Sequence, residues 1–103
     1  MDISFDNKNL LELYEKGKSM KYKVPQNIAR KYVVVIEILK SAQTIHDLWK
    51  TPSLNFKKLS GDDNKYSARL SIHWRIEMDI EWQNDEKTVG IINLIDVSNH
   101  YGD

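Results

Sequence analysis

Residues 74–82 read WRIEMDIEW, in which apolar and charged side chains alternate without interruption. Successive side chains of a β-strand point to opposite faces of the sheet, so this alternation predicts a strand from Trp74 to Trp82. One face of that strand is apolar, and the other carries Arg75 and three carboxylates. The stretch therefore predicts a sheet that is packed on one face and charged on the other.

Further strands are predicted on both sides of this one. Residues 66–70 predict the preceding strand, after the turn sequence SGDDN at residues 60–64. Residues 54–59 predict a strand before that turn, and residues 89–95 predict the last strand of a meander. Residues 3–5 can add a short strand at the start of the chain.

Two helices are predicted before the meander. The first follows a cap at Asp6 or Asn7 and ends at Gly17. The second begins at Pro25, which is favourable in the first position of a helix, and its apolar residues recur at helical spacing. The run Val33–Val35 also has strand propensity, but the long uninterrupted periodicity favours a helix.

The order of these elements predicts the α+β class, with two N-terminal helices packed on one face of a four-stranded, mainly antiparallel sheet. Thr44 can cap one further short turn that ends before Pro52. The three tryptophans, at positions 49, 74 and 82, are expected in the core. A length of 103 residues suits a single domain, which we expect to span residues 1–103.

The composition limits the possible functions. Fifteen basic residues balance fifteen acidic ones, so the net charge gives no general attraction for nucleic acid. The chain has no cysteine, which excludes disulfides and thiolate chemistry. No signal peptide is recognisable, and the longest apolar run, Tyr32–Ile36, is too short to span a bilayer. We therefore expect a cytoplasmic protein without membrane contact.

Two arginines in consecutive strands are the first candidates for a site. Arg69 and Arg75 stay charged, and each guanidinium group can donate two hydrogen bonds at once to a phosphate. Each can equally pair with a carboxylate on a solvated face of the sheet. Glu77 is two residues after Arg75 and therefore lies on the same face of the predicted strand. It can act as a base or hold the arginine in place. Lys57 and Lys58 can supply further positive charge.

Two residues near the end of the chain are candidates for proton transfer and substrate binding. His100 can exchange a proton near neutral pH, and Tyr101 can stack on a base or position a phosphate. Each can also be an ordinary terminal residue. His46 and His73 have no ligand-like partners in the sequence and are interpreted as structural, and no metal site is predicted.

Five short segments follow one another in a distinctive order. They are Ala42–Leu48 (AQTIHDL), Leu59–Asp62 (LSGD), Tyr66–Arg69 (YSAR), Trp74–Arg75 (WR) and the closing His100–Tyr101. In this order and spacing they resemble toxins of the HigB type, a branch of the RelE/ParE superfamily of type II toxin–antitoxin systems. The resemblance covers most of the chain and implies a RelE-like fold.

The resemblance also implies an activity. HigB-type toxins are ribosome-dependent mRNA endonucleases that arrest growth, serve in plasmid maintenance and cleave RNA by attack of a ribose 2′-oxygen on the adjacent phosphate. They need no metal or other cofactor. For this chain the resemblance implies that Arg69 and Arg75 stabilise the phosphate, that His100 transfers a proton and that Tyr101 orients the substrate.

Partners and substrate-binding charge follow from the same resemblance. The implied partners are a small helix-turn-helix antitoxin of the HigA type, the ribosome and mRNA. Ser60 takes the place of a family lysine, so Lys57 or Lys58 is expected to bind the substrate instead. The alternative interpretation of the function is a non-catalytic toxin. It would be either a topoisomerase inhibitor of the ParE type or a relic that binds only its antitoxin. The acidic strand face favours the non-catalytic toxin, and His100 favours the nuclease.

Overall fold

The computed structural model describes residues 1–59, 61 and 64–99. Within them the chain forms three α-helices, five β-strands and one short 3-10 helix. In this part of the chain no helix is long and apolar enough to cross a membrane. The elements are β1 (Asp2–Phe5), α1 (Lys8–Lys16), α2 (Gln26–Ser41), α3 (Ile45–Trp49), the 3-10 helix (Pro52–Leu54), β2 (Lys57–Lys58), β3 (Lys65–Arg69), β4 (Trp74–Trp82) and β5 (Gly90–Asn99).

The strands form one sheet in the order β1-β5-β4-β3-β2. β1 runs parallel to β5, and the other neighbouring strands are antiparallel. The α+β class is confirmed, but the expected sheet of four strands is wrong by one strand. The additional strand is β1, which includes the short strand expected at residues 3–5 but not counted among the four strands of the predicted sheet.

The two predicted N-terminal helices both form, and α1 has its predicted caps. Asn7 Oδ1 accepts a hydrogen bond from the backbone nitrogen of Leu10 at 3.0 Å, and α1 ends at Gly17, whose φ of 73° suits glycine. α2 begins directly after the predicted proline. The short turn expected after Thr44 is a third α-helix, because Thr44 and Asp47 form a complete capping box around its first residues. The expectation of two helices is thus also wrong by one.

The strand predicted at residues 54–59 is mostly wrong. Pro52–Leu54 form the 3-10 helix, and Asn55 ends it in the left-handed region with φ of 42°. Only Lys57–Lys58 pair with β3. The proline ring fixes φ near the helical value at the first position of the turn, and this outweighs the strand-like pattern that follows.

The core lies between the helices and one face of the sheet. The alternating residues Ile76, Met78 and Ile80 of β4 are buried, as the sequence predicts. They belong to one cluster with buried residues of the helices and of β5, including Leu10, Leu13, Tyr32, Ile36, Leu39, Ile92 and Leu94. The opposite face, called the open face below, carries Lys57, Lys65, Ser67, Arg69, Arg75, Glu77, Asp79, Glu81, Asn93, Asp96 and Ser98.

Trp49 does not lie in the core, contrary to the prediction. Its side chain is 49% exposed because α3 ends at this residue, at the margin of the core. The ring packs edge-on against Phe56, with 4.8 Å between the ring centroids. Trp74 and Trp82 are partly buried against the core, as expected for residues on the apolar face of β4.

Candidate active site on the open face

The two candidate arginines face each other across the β3–β4 hairpin. Arg69 and Arg75 occupy directly paired positions of the two strands, and strand alternation places both on the open face. They line one small hollow together with Lys57, Ser67 and His73. The other lining residues are Asn55, Ser71, Ile72 and Trp74. Like charges at directly opposed positions destabilise a sheet, so neighbouring groups have to offset the repulsion between the two arginines.

Arg75 is held by a carboxylate of its own strand. Its Nε atom lies 3.5 Å from Oε2 of Glu77, and both side chains are largely buried, with 17% and 21% exposed. Ser98 of β5 donates a hydrogen bond to the same Glu77 oxygen at 2.9 Å. Of the two roles left open for Glu77, the contacts favour holding the arginine in place.

His73 joins the site although its sequence context suggests a structural role. It lies in the turn between β3 and β4, where its side chain is exposed. The turn is ordered because Ser71 Oγ accepts hydrogen bonds from the backbone nitrogens of His73 at 3.4 Å and of Trp74 at 3.2 Å. The sequence could have indicated this position, because His73 lies between two predicted strands that each carry a candidate arginine. A hairpin brings its turn residues close to the ends of its strands.

The two candidate lysines are separated by the sheet. Lys57 pairs with Ser67, whose side chain belongs to the open face, and it lines the hollow. Lys58 pairs with Tyr66, a buried residue of the helix-covered face, and it is not among the lining residues. The structure therefore brings Lys57, but not Lys58, together with the arginines.

His100 and Tyr101 lie outside the described residues. The last described residue of β5 is Asn99, which pairs with Trp74 at the start of β4. The hollow is thus built from the described ends of β2, β3 and β4, and the two terminal candidates follow in sequence after the neighbouring end of β5.

The remainder of the open face carries mainly acidic side chains, although Lys65 of β3 lies opposite Asp79. Asp79 and Glu81 continue β4 away from the hollow, and Asp96 pairs with Glu77 from β5. Asp79 accepts a hydrogen bond from Nδ2 of Asn93 at 2.9 Å, which fixes one of these carboxylates. Among the described residues no group of His, Asp and Glu side chains has the arrangement of a metal site. The open face thus has a cationic end at the hairpin and an acidic region beyond it.

The fold described above is similar to that of a solved toxin structure. The solved structure described as "YoeB/ParE toxin from Agrobacterium tumefaciens" aligns with 98% of this chain and 100% of its own length, with a TM-score of 0.54. The sequence identity is 15%, so this likeness concerns the fold alone.

Residues 3–96 match the model of the HigB-like toxin family, described as the RelE-like toxin of the type II toxin–antitoxin system HigB. The chain therefore belongs to the HigB-like toxin family. Comparison with curated proteins gave no match. Membership of a type II toxin–antitoxin family implies an antitoxin as partner.

Proposed function

We propose that this toxin is an endoribonuclease that cleaves mRNA on the ribosome. One observation carries the proposal: Arg69 and Arg75 are directly opposed and share a hollow with Lys57 and His73. Three cations and a titratable imidazole at one hairpin suit a phosphodiester, because each guanidinium group can bind two phosphate oxygens.

The reaction begins with attack of a ribose 2′-oxygen on the adjacent phosphorus. The bond from phosphorus to the 5′-oxygen breaks, a cyclic phosphate forms, and the proton of the 2′-hydroxyl leaves to a base. The leaving 5′-oxygen takes up a proton from an acid. In this scheme Arg69 and Arg75 stabilise the charge that develops on the phosphate oxygens, and Lys57 adds a further positive charge.

Two histidines are the candidates for proton transfer. His73 lines the hollow, and His100 follows the residue that pairs with Trp74. An imidazole can give or accept a proton near neutral pH, so the two together can supply a base and an acid. Tyr101 is proposed to orient the substrate, as the family resemblance implies. Glu77 is assigned to positioning Arg75.

The test is expression of the toxin alone in a bacterial host, with genome-wide mapping of mRNA 5′ ends. New ends within translated regions are expected for the natural chain. Arg69→Ala and Arg75→Ala should each lower cleavage by about 10²–10³-fold, the usual cost of removing a group that stabilises transition-state charge. Lys8→Ala, an exposed change at the start of α1, serves as control.

A second candidate function is a non-catalytic toxin of the ParE type, and the acidic region of the open face favours it because that region repels RNA. Growth arrest without new RNA ends would support this candidate. No arrest at all would indicate a relic that only binds its antitoxin. Cleavage that is unchanged in a folded double variant of Arg69 and Arg75 would contradict the proposed site.

A further inference from the structure

β5 contains one residue more than the part of β4 with which it pairs. Glu77 of β4 pairs with Asp96, but the next residue of β4 pairs with Leu94. Ile95 therefore stands between two paired residues and forms a β-bulge, which redirects the side chains that follow it. Bulges are frequent beside active sites, and this one lies opposite the carboxylate that holds the site arginine in place.

The bulge decides which β5 side chains reach the open face. Asn93 and Ser98 both pair with open-face residues of β4, although they are five positions apart in the chain. Residues five apart on a regular strand point to opposite faces, so the extra residue is what places Ser98 on the open face. The buried residues change their spacing in the same way. Leu94 and Val97 both face the core, although they are three positions apart.

Ser98 fixes the carboxylate that contacts Arg75. Its hydroxyl group donates a hydrogen bond at 2.9 Å to Oε2 of Glu77, and the same oxygen lies 3.5 Å from Nε of Arg75. Ser98 is also the β5 residue directly opposite Arg75. Asp96 lies opposite Glu77, and the repulsion between two opposed carboxylates favours a Glu77 side chain that leans toward Ser98. The hydrogen bond and the repulsion therefore act in the same direction.

The orientation of Arg75 matters because of the geometry of its head group. A guanidinium group is planar, and it donates two parallel hydrogen bonds to a phosphate only when its plane is aligned with the phosphate oxygens. Arg69 is exposed, whereas the Arg75 side chain is largely buried. Contacts within the protein, among them Glu77 at Nε, therefore set the plane of the Arg75 guanidinium group.

We propose that Ser98 is a positioning residue of the toxin. Through Glu77 it fixes the plane of the Arg75 guanidinium group, so that the arginine is already aligned for the charge that develops on the phosphate. The bulge in β5 is the structural feature that brings Ser98 into this position. The effect on cleavage rests on the proposed nuclease function, whereas the orientation of Arg75 can be measured without any RNA.

The experiment compares Ser98→Val with Ser98→Thr. Both side chains are β-branched and suit a strand, and they differ only in the presence of a hydroxyl group. In single-turnover cleavage of ribosome-bound mRNA, Ser98→Val should be slower than Ser98→Thr by about tenfold, because a misaligned group stabilises the transition state less well. Binding of a 2′-deoxy oligonucleotide, which cannot be cleaved, should differ by less than about twofold, because the charge of Arg75 remains.

Nuclear magnetic resonance of the isotope-labelled toxin measures how firmly Arg75 is held. The Nε–H proton of Arg75 should exchange with water several-fold faster in Ser98→Val than in Ser98→Thr, because a hydrogen-bonded proton exchanges only after the contact opens. Arg75→Lys identifies the signal, which disappears in that variant. Ser4→Val is the matched control, because Ser4 is a second serine of the open face and donates to Asn93 farther along the sheet.

Faster exchange and slower cleavage in Ser98→Val, with Ser98→Thr and Ser4→Val close to the natural chain, support the proposal. It is overturned if a Ser98→Val chain that is folded by circular dichroism exchanges and cleaves as Ser98→Thr does. A change in exchange without a change in the cleavage rate also overturns it. If the natural chain cleaves no RNA, the proposed function fails, and the exchange rates still decide whether Ser98 holds Arg75. Ser98→Ala repeats the comparison with a smaller side chain if both β-branched variants unfold.

Discussion

His73 has a side chain that is exposed in the β3–β4 turn and lines the hollow. A histidine that transfers a proton typically contributes about 10²–10⁴-fold to a rate. We expect His73→Gln to lower single-turnover cleavage of ribosome-bound mRNA by about 10²-fold and to remove one limb of the pH–rate profile. His46→Gln, at an exposed position of α3, should leave both unchanged. A natural rate and profile in His73→Gln would exclude this residue from proton transfer.

Tyr32 is fully buried, and its hydroxyl donates a hydrogen bond to the backbone oxygen of Leu10 at 2.8 Å. Burial raises the pKa of Tyr32 above its ordinary value. The folded protein therefore favours the neutral phenol, and this stabilisation is complete below the ordinary pKa of about 10. Above that pH the unfolded chain ionises first, so the free energy of unfolding should fall by about 1.4 kcal/mol per pH unit.

Urea denaturation between about pH 9 and pH 11 measures this slope. Tyr32→Phe should be less stable at neutral pH by about 1 kcal/mol, because it loses the hydrogen bond to Leu10. It should also lose the part of the alkaline slope that Tyr32 contributes. Parallel curves for the natural chain and Tyr32→Phe above pH 10 would contradict the role of burial.

The alternation of side chains along a β-strand explains which part of the candidate site could be predicted from the sequence. Arg69 and Arg75 could be placed on one face from the sequence, because strands of alternating character fix the direction of each side chain. The direct pairing of the two arginines could not, since it depends on the hairpin register. His73 lies in a turn, which has no periodicity, so the sequence indicates only that it is near the two arginines. The folded hairpin shows that it lines the same hollow.

At the scale of the elements, β2 consists of two lysines whose side chains alternate across the sheet. Lys57 lines the hollow, and Lys58 pairs with the buried Tyr66. We expect Lys57→Ala to weaken binding of a short RNA by about tenfold, because a charged hydrogen bond to phosphate is lost. Lys58→Ala should have little effect. Fluorescence anisotropy with a labelled oligonucleotide measures both, and equal losses would show that strand alternation does not decide the role.

Elements were predictable where a long pattern or a cap defined them. β4 forms over the predicted residues 74–82, and α1 lies between its predicted caps. The failure concerns a short segment: residues 54–59 resemble a strand in sequence, although Pro52 has already set a helical turn. A short strand at residues 3–5 was expected, but its place in the sheet was not. Short elements depend on neighbours that only the tertiary structure provides, such as the parallel pairing of β1 with β5.

At the scale of the molecule, the open face separates its charges along β4. Glu81 lies six residues beyond Arg75, a distance of about 20 Å along the strand. The Debye length is about 8 Å at physiological ionic strength, so this carboxylate acts weakly on a phosphate at the hollow. It can repel only an RNA long enough to extend along the sheet. The neutral net charge is therefore compatible with a local phosphate site.

This separation predicts a dependence on RNA length. Glu81→Lys should strengthen binding of an RNA of about twelve nucleotides several-fold at low salt, with no change for a dinucleotide, because screening limits each charge to its surroundings. Glu86→Lys, exposed in the turn after β4 and outside the open face, is the control. Affinity measured with both RNAs at two salt concentrations tests the prediction. An equal gain for both lengths would indicate a general effect of net charge.

The position of β5 also has a consequence for synthesis of the toxin. β5 is the last of the five strands in chain order, yet it lies between β1 and β4 in the sheet. β1 pairs with residues about ninety positions later, beginning with Asp2 opposite Ile91. Because pairing across such a separation has to await the late strand, we expect β1 to stay unpaired on the nascent chain until β5 has left the exit tunnel. The complete sheet then forms only after almost all of residues 1–99 have been translated.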